Sequence, residues 1–188
     1  FEKSWKLGVD VLEMDIWETA DGKLVVFHDK TVNRTTDGEG NISEKTLEDV
    51  KKLNAAYKFT TDGGQSFPLR EQKIGVPALE EVFKTLPHAK FNIEMKPTSE
   101  TIAKSLCSLI RQHNLSEKVI VASVSQSNLD NFRRECSEVA TSASATEVLQ
   151  YFTYYKTGFG ENYSPQMSSV QTLRRLFGMQ VVSKDFVE

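Results

Sequence analysis

Five side chains have the types and spacing that cation-assisted chemistry on an anionic substrate requires. Glu13 and Asp15 alternate along the run LEMDIWE, Glu94 and Lys96 along FNIEMK, and His28 closes the run LVVFH. Successive side chains of a strand point to opposite faces, so Glu13 and Asp15 share a face with Val9 and Val11, while Leu12, Met14 and Ile16 take the other. Two carboxylates on one face, about 7 Å apart at the Cα, repel unless a cation holds them. In the later run Asn92, Glu94 and Lys96 share one face and Phe91, Ile93 and Met95 the other. Glu13, Asp15 and Glu94 are hard oxygen donors suited to a divalent cation such as Ca²⁺ or Mg²⁺, and a single histidine is poor material for zinc. His28 is the candidate general acid or base, and Lys96 the positive group for a substrate oxygen.

The surrounding elements must bring these groups together. Asp21-Gly22 predicts a two-residue type I′ hairpin turn, which places Thr19 opposite Leu24, Trp17 opposite Val26 and Asp15 opposite His28, with Cβ atoms about 5 Å apart. Strand-like runs at 9–16, 24–28, 91–96, 119–123 and 139–142, with weaker ones at 169–171 and 180–182, alternate with helical stripes. One stripe is Leu79, Val82, Phe83 and Leu86, another Ile102, Leu106, Leu109 and Ile110, and Ser144 with Glu147 is a capping box for a third. That alternation predicts an α/β fold with a parallel sheet wound by helices. In a barrel of this kind, acids late in a strand lie at the carboxyl end, where the chemistry is carried. Residues 30–75 break the alternation around one short helix capped by Thr46 and read as an insertion. Residues 1–7 read as a helix closed by Gly8, and Ser183 as an N-cap, so both termini read as cuts.

Composition limits the function classes. With 188 residues, 39% hydrophobic and 26% charged, the chain can bury one core as one domain. A net charge of −3 with interleaved signs offers no surface for a nucleic-acid backbone or an anionic membrane. No window reaches the apolar length of a membrane span and no leader pattern is visible; the cytoplasm is the favoured compartment. Cys107 and Cys136 sit at apolar helix positions and read as free core thiols. His88 and His113 read as solvated, and the aromatic run at 151–159 as a helix end packing on the core. The glycines of RTTDGEG at 34–40 do not follow a strand and open a helix, as a phosphate loop would.

The stretches GVDVLEMDIWETADGKLVVFHD, VNRTTDGEG, VPALEEVF, FNIEMKP and VIVASVS, in that order, resemble the glycerophosphodiester phosphodiesterases, especially their bacterial members. The resemblance covers most of the chain. It implies an irregular TIM-type (β/α)₈ barrel of the phospholipase-C-like class, a small insertion after the second strand of the hairpin, and a divalent cation, Ca²⁺ or Mg²⁺. It also implies a small-molecule glycerophosphodiester substrate, hydrolysed to glycerol 3-phosphate and an alcohol. By position, Glu13, Asp15 and Glu94 match the family's metal ligands, His28 one of its two acid/base histidines, and Lys96 its strand-end lysine near the phosphate. The family's opening His-Arg-Gly strand with its Glu-Asn, and its closing Trp-Thr-Val-Asn strand, do not occur in these residues. The expectation is therefore a single partial barrel domain over 1–188, holding about strands two to seven. Two other readings are a lipid phosphodiesterase of lysophospholipase D or sphingomyelinase D type, and an inactive barrel fragment serving as a binding module.

Overall fold

The computed structural model describes residues 1–96, 99–159, 163–172, 175–176, 179–180 and 182. The predicted strand at 180–182 runs through Val181, which with the predicted cap Ser183 lies outside the described residues. Strands β1 (Leu12–Glu18), β2 (Leu24–Val26), β3 (Phe91–Met95), β4 (Val119–Ala122) and β5 (Ala140–Thr141) form one sheet in the order β2-β1-β3-β4-β5. β1, β3, β4 and β5 run parallel, and β2 folds back antiparallel on β1. Of the predicted strand at 169–171 only an isolated parallel bridge from Ser142 to Ser169 is found. A short antiparallel pair, β6 (Arg175–Leu176) and β7 (Met179–Gln180), follows. The architecture is an α/β sheet of parallel strands, an incomplete barrel among the described residues.

The helices follow their sequence markers. α1 (Glu2–Lys6) ends at Gly8, whose φ of +84° favours a residue without a Cβ. α2 (Leu47–Lys52) and α6 (Ala145–Thr157) each open on a complete capping box, Thr46 with Asp49 and Ser144 with Glu147. α3 (Leu79–Thr85), α4 (Ile102–Gln112) and α5 (Gln126–Glu135) lay their apolar stripes on one face of the sheet. Leu12, Met14, Ile16, Phe91, Ile93 and Met95 meet these stripes in the main core. The opposite face of β3 carries the half-buried Asn92, Glu94 and Lys96, as the alternation predicts. Val9 and Val11, expected in the first strand, precede it and are exposed, because ladder pairing begins at Leu12, whose N–H donates to Lys90 O (2.9 Å).

Several expectations are corrected. First, the hairpin is one residue out of the predicted register, with Ile16 opposite Val26, Trp17 opposite Val25 and Glu18 opposite Leu24. A type I′ turn needs positive φ at both central residues, and only Gly22 (φ +73°) has it. The Gly22 N–H donates to Thr19 O (2.9 Å), which makes a turn over Thr19 to Gly22 with the left-handed glycine last, a three-residue loop. The slip moves Val25 to the Trp17 face, where both join Val32, Ile42, Val50 and Val76 in a second core under residues 30–75.

Second, Cys107 and Cys136 form a disulfide with Cα atoms 5.6 Å apart, because α4 packs on α5 and brings the two sulfurs face to face. The bond closes a loop with a sequence separation of 29 residues, and a loop of that size is worth on the order of 3 kcal/mol through the unfolded chain. Reduction, or the pair Cys107→Ser and Cys136→Ser, is therefore expected to lower Tm. Identical melting curves with and without reductant would contradict this.

Third, the aromatic run does not enter the core. In α6 only Glu147 is buried, while Leu149, Tyr154 and Phe159 are exposed. His88 is exposed as predicted, but His113 is half-buried edge-on to Phe83, with ring centroids 5.7 Å apart.

Candidate active site

Parallel pairing of β1 with β3 sets Glu13 beside Asn92 and Asp15 beside Glu94 on the face away from the helices. Lys96 continues β3 by one residue, its N–H donating to Ile16 O (3.1 Å). Its ammonium donates to Asp15 Oδ1 (2.8 Å) and to Glu94 Oε1 (2.8 Å). Burial works against that charge, but the two carboxylates raise its pKa, so Lys96 stays protonated. The Glu13 pKa is raised as well: burial first, then the nearby charges of Asp15 and Glu94, push it up, against the smaller pull of Lys96 and His28. The face carries more negative charge than its surroundings neutralise.

His28 reaches this face by a different route from the predicted one. The residue opposite Asp15 is Phe27, whose N–H donates to Asp15 O (2.9 Å), and β2 ends at Val26. The chain then turns out of the sheet, and His28 joins Glu13, Asp15, Asp29 and Arg34 around a cavity of about 340 Å³. His28 Nδ1 lies 2.7 Å from Asp29 Oδ1. Arg34 Nε and Nη2 donate to the two Asp29 oxygens at 2.5 and 2.8 Å. Hydrogen bonds from Arg34 and then His28 hold the Asp29 pKa far below the usual carboxylate range. An ionised Asp29 can only accept, so Nδ1 carries a proton, and in the neutral ring Nε2 holds the lone pair. Asp29 and Arg34 were not singled out from the sequence, although a carboxylate adjoining a candidate histidine was a legible sign.

The donor chemistry fits a hard divalent cation. Three carboxylates lie on adjoining positions of one sheet face, a positive group is already drawn between two of them, and the third is pushed toward protonation by burial and then by its acidic neighbours. Among the described residues the three do not form a cluster with all ligand atoms within 4.8 Å of one another.

The fold is an α/β barrel arc with its chemistry-bearing side chains on the face of the parallel strands opposite the helices. The chain belongs to the glycerophosphoryl diester phosphodiesterase family, which it matches over residues 1–185. It is 37% identical over 139 residues to a glycerophosphodiester phosphodiesterase of Caldanaerobacter subterraneus subsp. tengcongensis, covering 71% of this chain and 54% of that protein. In structure it resembles the glycerophosphoryl diester phosphodiesterase domain of a Mycobacterium tuberculosis protein, with a TM-score of 0.73, 20% identity, and coverage of 84% of this chain and 57% of that one. It also resembles an Oleispira antarctica phosphodiesterase solved in complex with the product sn-glycerol-3-phosphate, with a TM-score of 0.65, 21% identity, and coverage of 89% and 74%. The chain spans little more than half the length of the first two.

Proposed function

We propose that the complete protein hydrolyses glycerophosphodiesters to sn-glycerol 3-phosphate and an alcohol with the help of a divalent cation, Ca²⁺ or Mg²⁺. Residues 1–188 supply part of one barrel domain, with 30–75 as an insertion. The observation that carries the reading is the arrangement on β1 and β3: Asp15 beside Glu94, Glu13 one position away, Lys96 between the acids, and His28 on the cavity that Glu13 and Asp15 line.

Glu13, Asp15 and Glu94 would hold the cation, which when bound withdraws charge from the phosphoryl oxygens and acidifies a nearby hydroxyl. Lys96 adds a fixed positive charge toward the phosphate, kept protonated by its acidic neighbours. His28, with Nδ1–H committed to Asp29, offers Nε2 to take a proton from the attacking hydroxyl or return one to the departing alkoxide.

Glycerophosphocholine incubated with the complete protein and Mg²⁺ or Ca²⁺ should release glycerol 3-phosphate, and excess EDTA should abolish the release. Undiminished turnover in EDTA would remove the cation from the reading. Lysophosphatidylcholine assayed in parallel separates the lipid reading, since faster cleavage of that substrate would reassign the substrate class.

A further inference from the structure

One buried acid takes no part in the chemistry above. Glu18, the last residue of β1, is 4% exposed, and among the described residues its carboxylate has no cationic partner. A carboxylate withdrawn from water without a counter-charge is costly unless hydrogen bonds replace its hydration. Three hydroxyls do so: Ser99 donates to Oε2, Thr101 donates to Oε2 (2.6 Å), and Ser105 donates to Oε1 (2.7 Å). All three lie just before α4 or in its first turns.

Lys96 and the start of α4 are thus each held by the last residues of β1. The Lys96 N–H is bound to Ile16 O (3.1 Å), and three residues later the hydroxyl set closes on Glu18. We infer that Glu18 is a positioning residue: by holding the start of α4 against the end of β1, it fixes where the β3–α4 turn leaves the sheet and hence where the Lys96 ammonium stands relative to Asp15 and Glu94. The inference rests on the reading of Lys96 as the phosphate-binding cation. Glu18 touches no reacting atom; it acts through the backbone that carries Lys96.

The test is a thermodynamic cycle of Glu18→Gln with Lys96→Ala in the complete protein, read as kcat/KM for glycerophosphocholine. Misplacing a binding group by a fraction of its reach commonly costs about 10- to 100-fold, so Glu18→Gln is expected to lower kcat/KM by that factor on the Lys96 background. On the Lys96→Ala background it should have almost no further effect, because the group it positions is gone. A purely structural role would lower Tm and reduce kcat/KM by the same factor on both backgrounds; that result overturns the inference, as does an unchanged kcat/KM in Glu18→Gln. If Lys96→Ala itself keeps full kcat/KM, the reading of Lys96 fails and takes the inference with it. If Lys96→Ala is impaired while Glu18→Gln is not, the inference alone fails. Should Glu18→Gln not fold, Thr101→Val, which removes one of the three donors, carries the same comparison.

Discussion

Alanine at position 28 is expected to lower turnover of the complete protein by at least about 10²-fold, the usual scale for a positioned acid or base. Among the described residues the ring is held through one nitrogen. Asp29 accepts from Nδ1 at 2.7 Å, and Arg34 grips Asp29 with two nitrogens, so the carboxylate is oriented before it orients the imidazole. That chain fixes the tautomer of an exposed ring and leaves Nε2 as its basic site. Because Asp29 stays ionised well into acid, the Nδ1–H keeps its acceptor there. Alanine removes the base while leaving Glu13, Asp15, Glu94 and Lys96 in place, so cation affinity measured by calorimetry should change little as kcat falls. Turnover within threefold of the parent would exclude His28 from proton transfer.

Arg133→Met is expected to cost about 3–5 kcal/mol of folding free energy, because it strands a buried carboxylate. Arg133 Nη1 and Nη2 donate to the Glu147 carboxylate at 2.6 and 3.1 Å, and Nε donates to Thr141 Oγ1 at 2.9 Å. One guanidinium thereby ties α5 to β5 and α6. Glu147, 7% exposed, also accepts from the Ser144 N–H (2.9 Å). Burial alone would raise the Glu147 pKa, but the Arg133 and Ser144 hydrogen bonds overcome it and the net displacement is downward. A folded-state pKa below the unfolded one contributes stability that is fully present above the ordinary glutamate range. That contribution is lost as the pH falls through that range and below it. Chemical denaturation of the parent should therefore show a loss of stability on acidification that is missing from Arg133→Met. The double replacement Arg133→Met with Glu147→Leu should recover much of the cost, since no charge is then left buried alone. A double variant no more stable than Arg133→Met would contradict this account.

Much of the site was legible because strand alternation is a rigid rule. LEMDI and FNIEM fix which residues share a face whatever surrounds them, and Glu13, Asp15, Glu94 and Lys96 fell where that rule put them. Thr46 and Ser144 were equally legible as caps, since a cap is a contact within four residues. The hairpin register was not, because Asp-Gly serves two turn types. Here the decision came from contacts around the turn: Thr19 Oγ1 donates to Asp21 Oδ1 (2.6 Å) and accepts from the Lys23 N–H (3.0 Å), and Asp21 Oδ1 also accepts from the Leu47 N–H of α2 (2.9 Å). The last of these spans 26 residues, beyond the reach of a local pattern. Glu18 was hidden for the same reason, its three donors lying more than 80 residues along the chain. The cysteines gave no hint of pairing, since an apolar helix position suits a thiol and a half-cystine alike.

The bond between Cys107 and Cys136 also bears on where the chain matures. Such bonds persist in periplasmic, secretory or extracellular surroundings, whereas the glutathione and thioredoxin pools of an ordinary cytosol keep sulfurs apart. Protein harvested from reducing cells would begin with α4 and α5 untethered and gain heat tolerance as air closes the link during purification. Because the link lies in the core on the helix side of the sheet, batches of different oxidation history would differ in shelf life while sharing one catalytic rate.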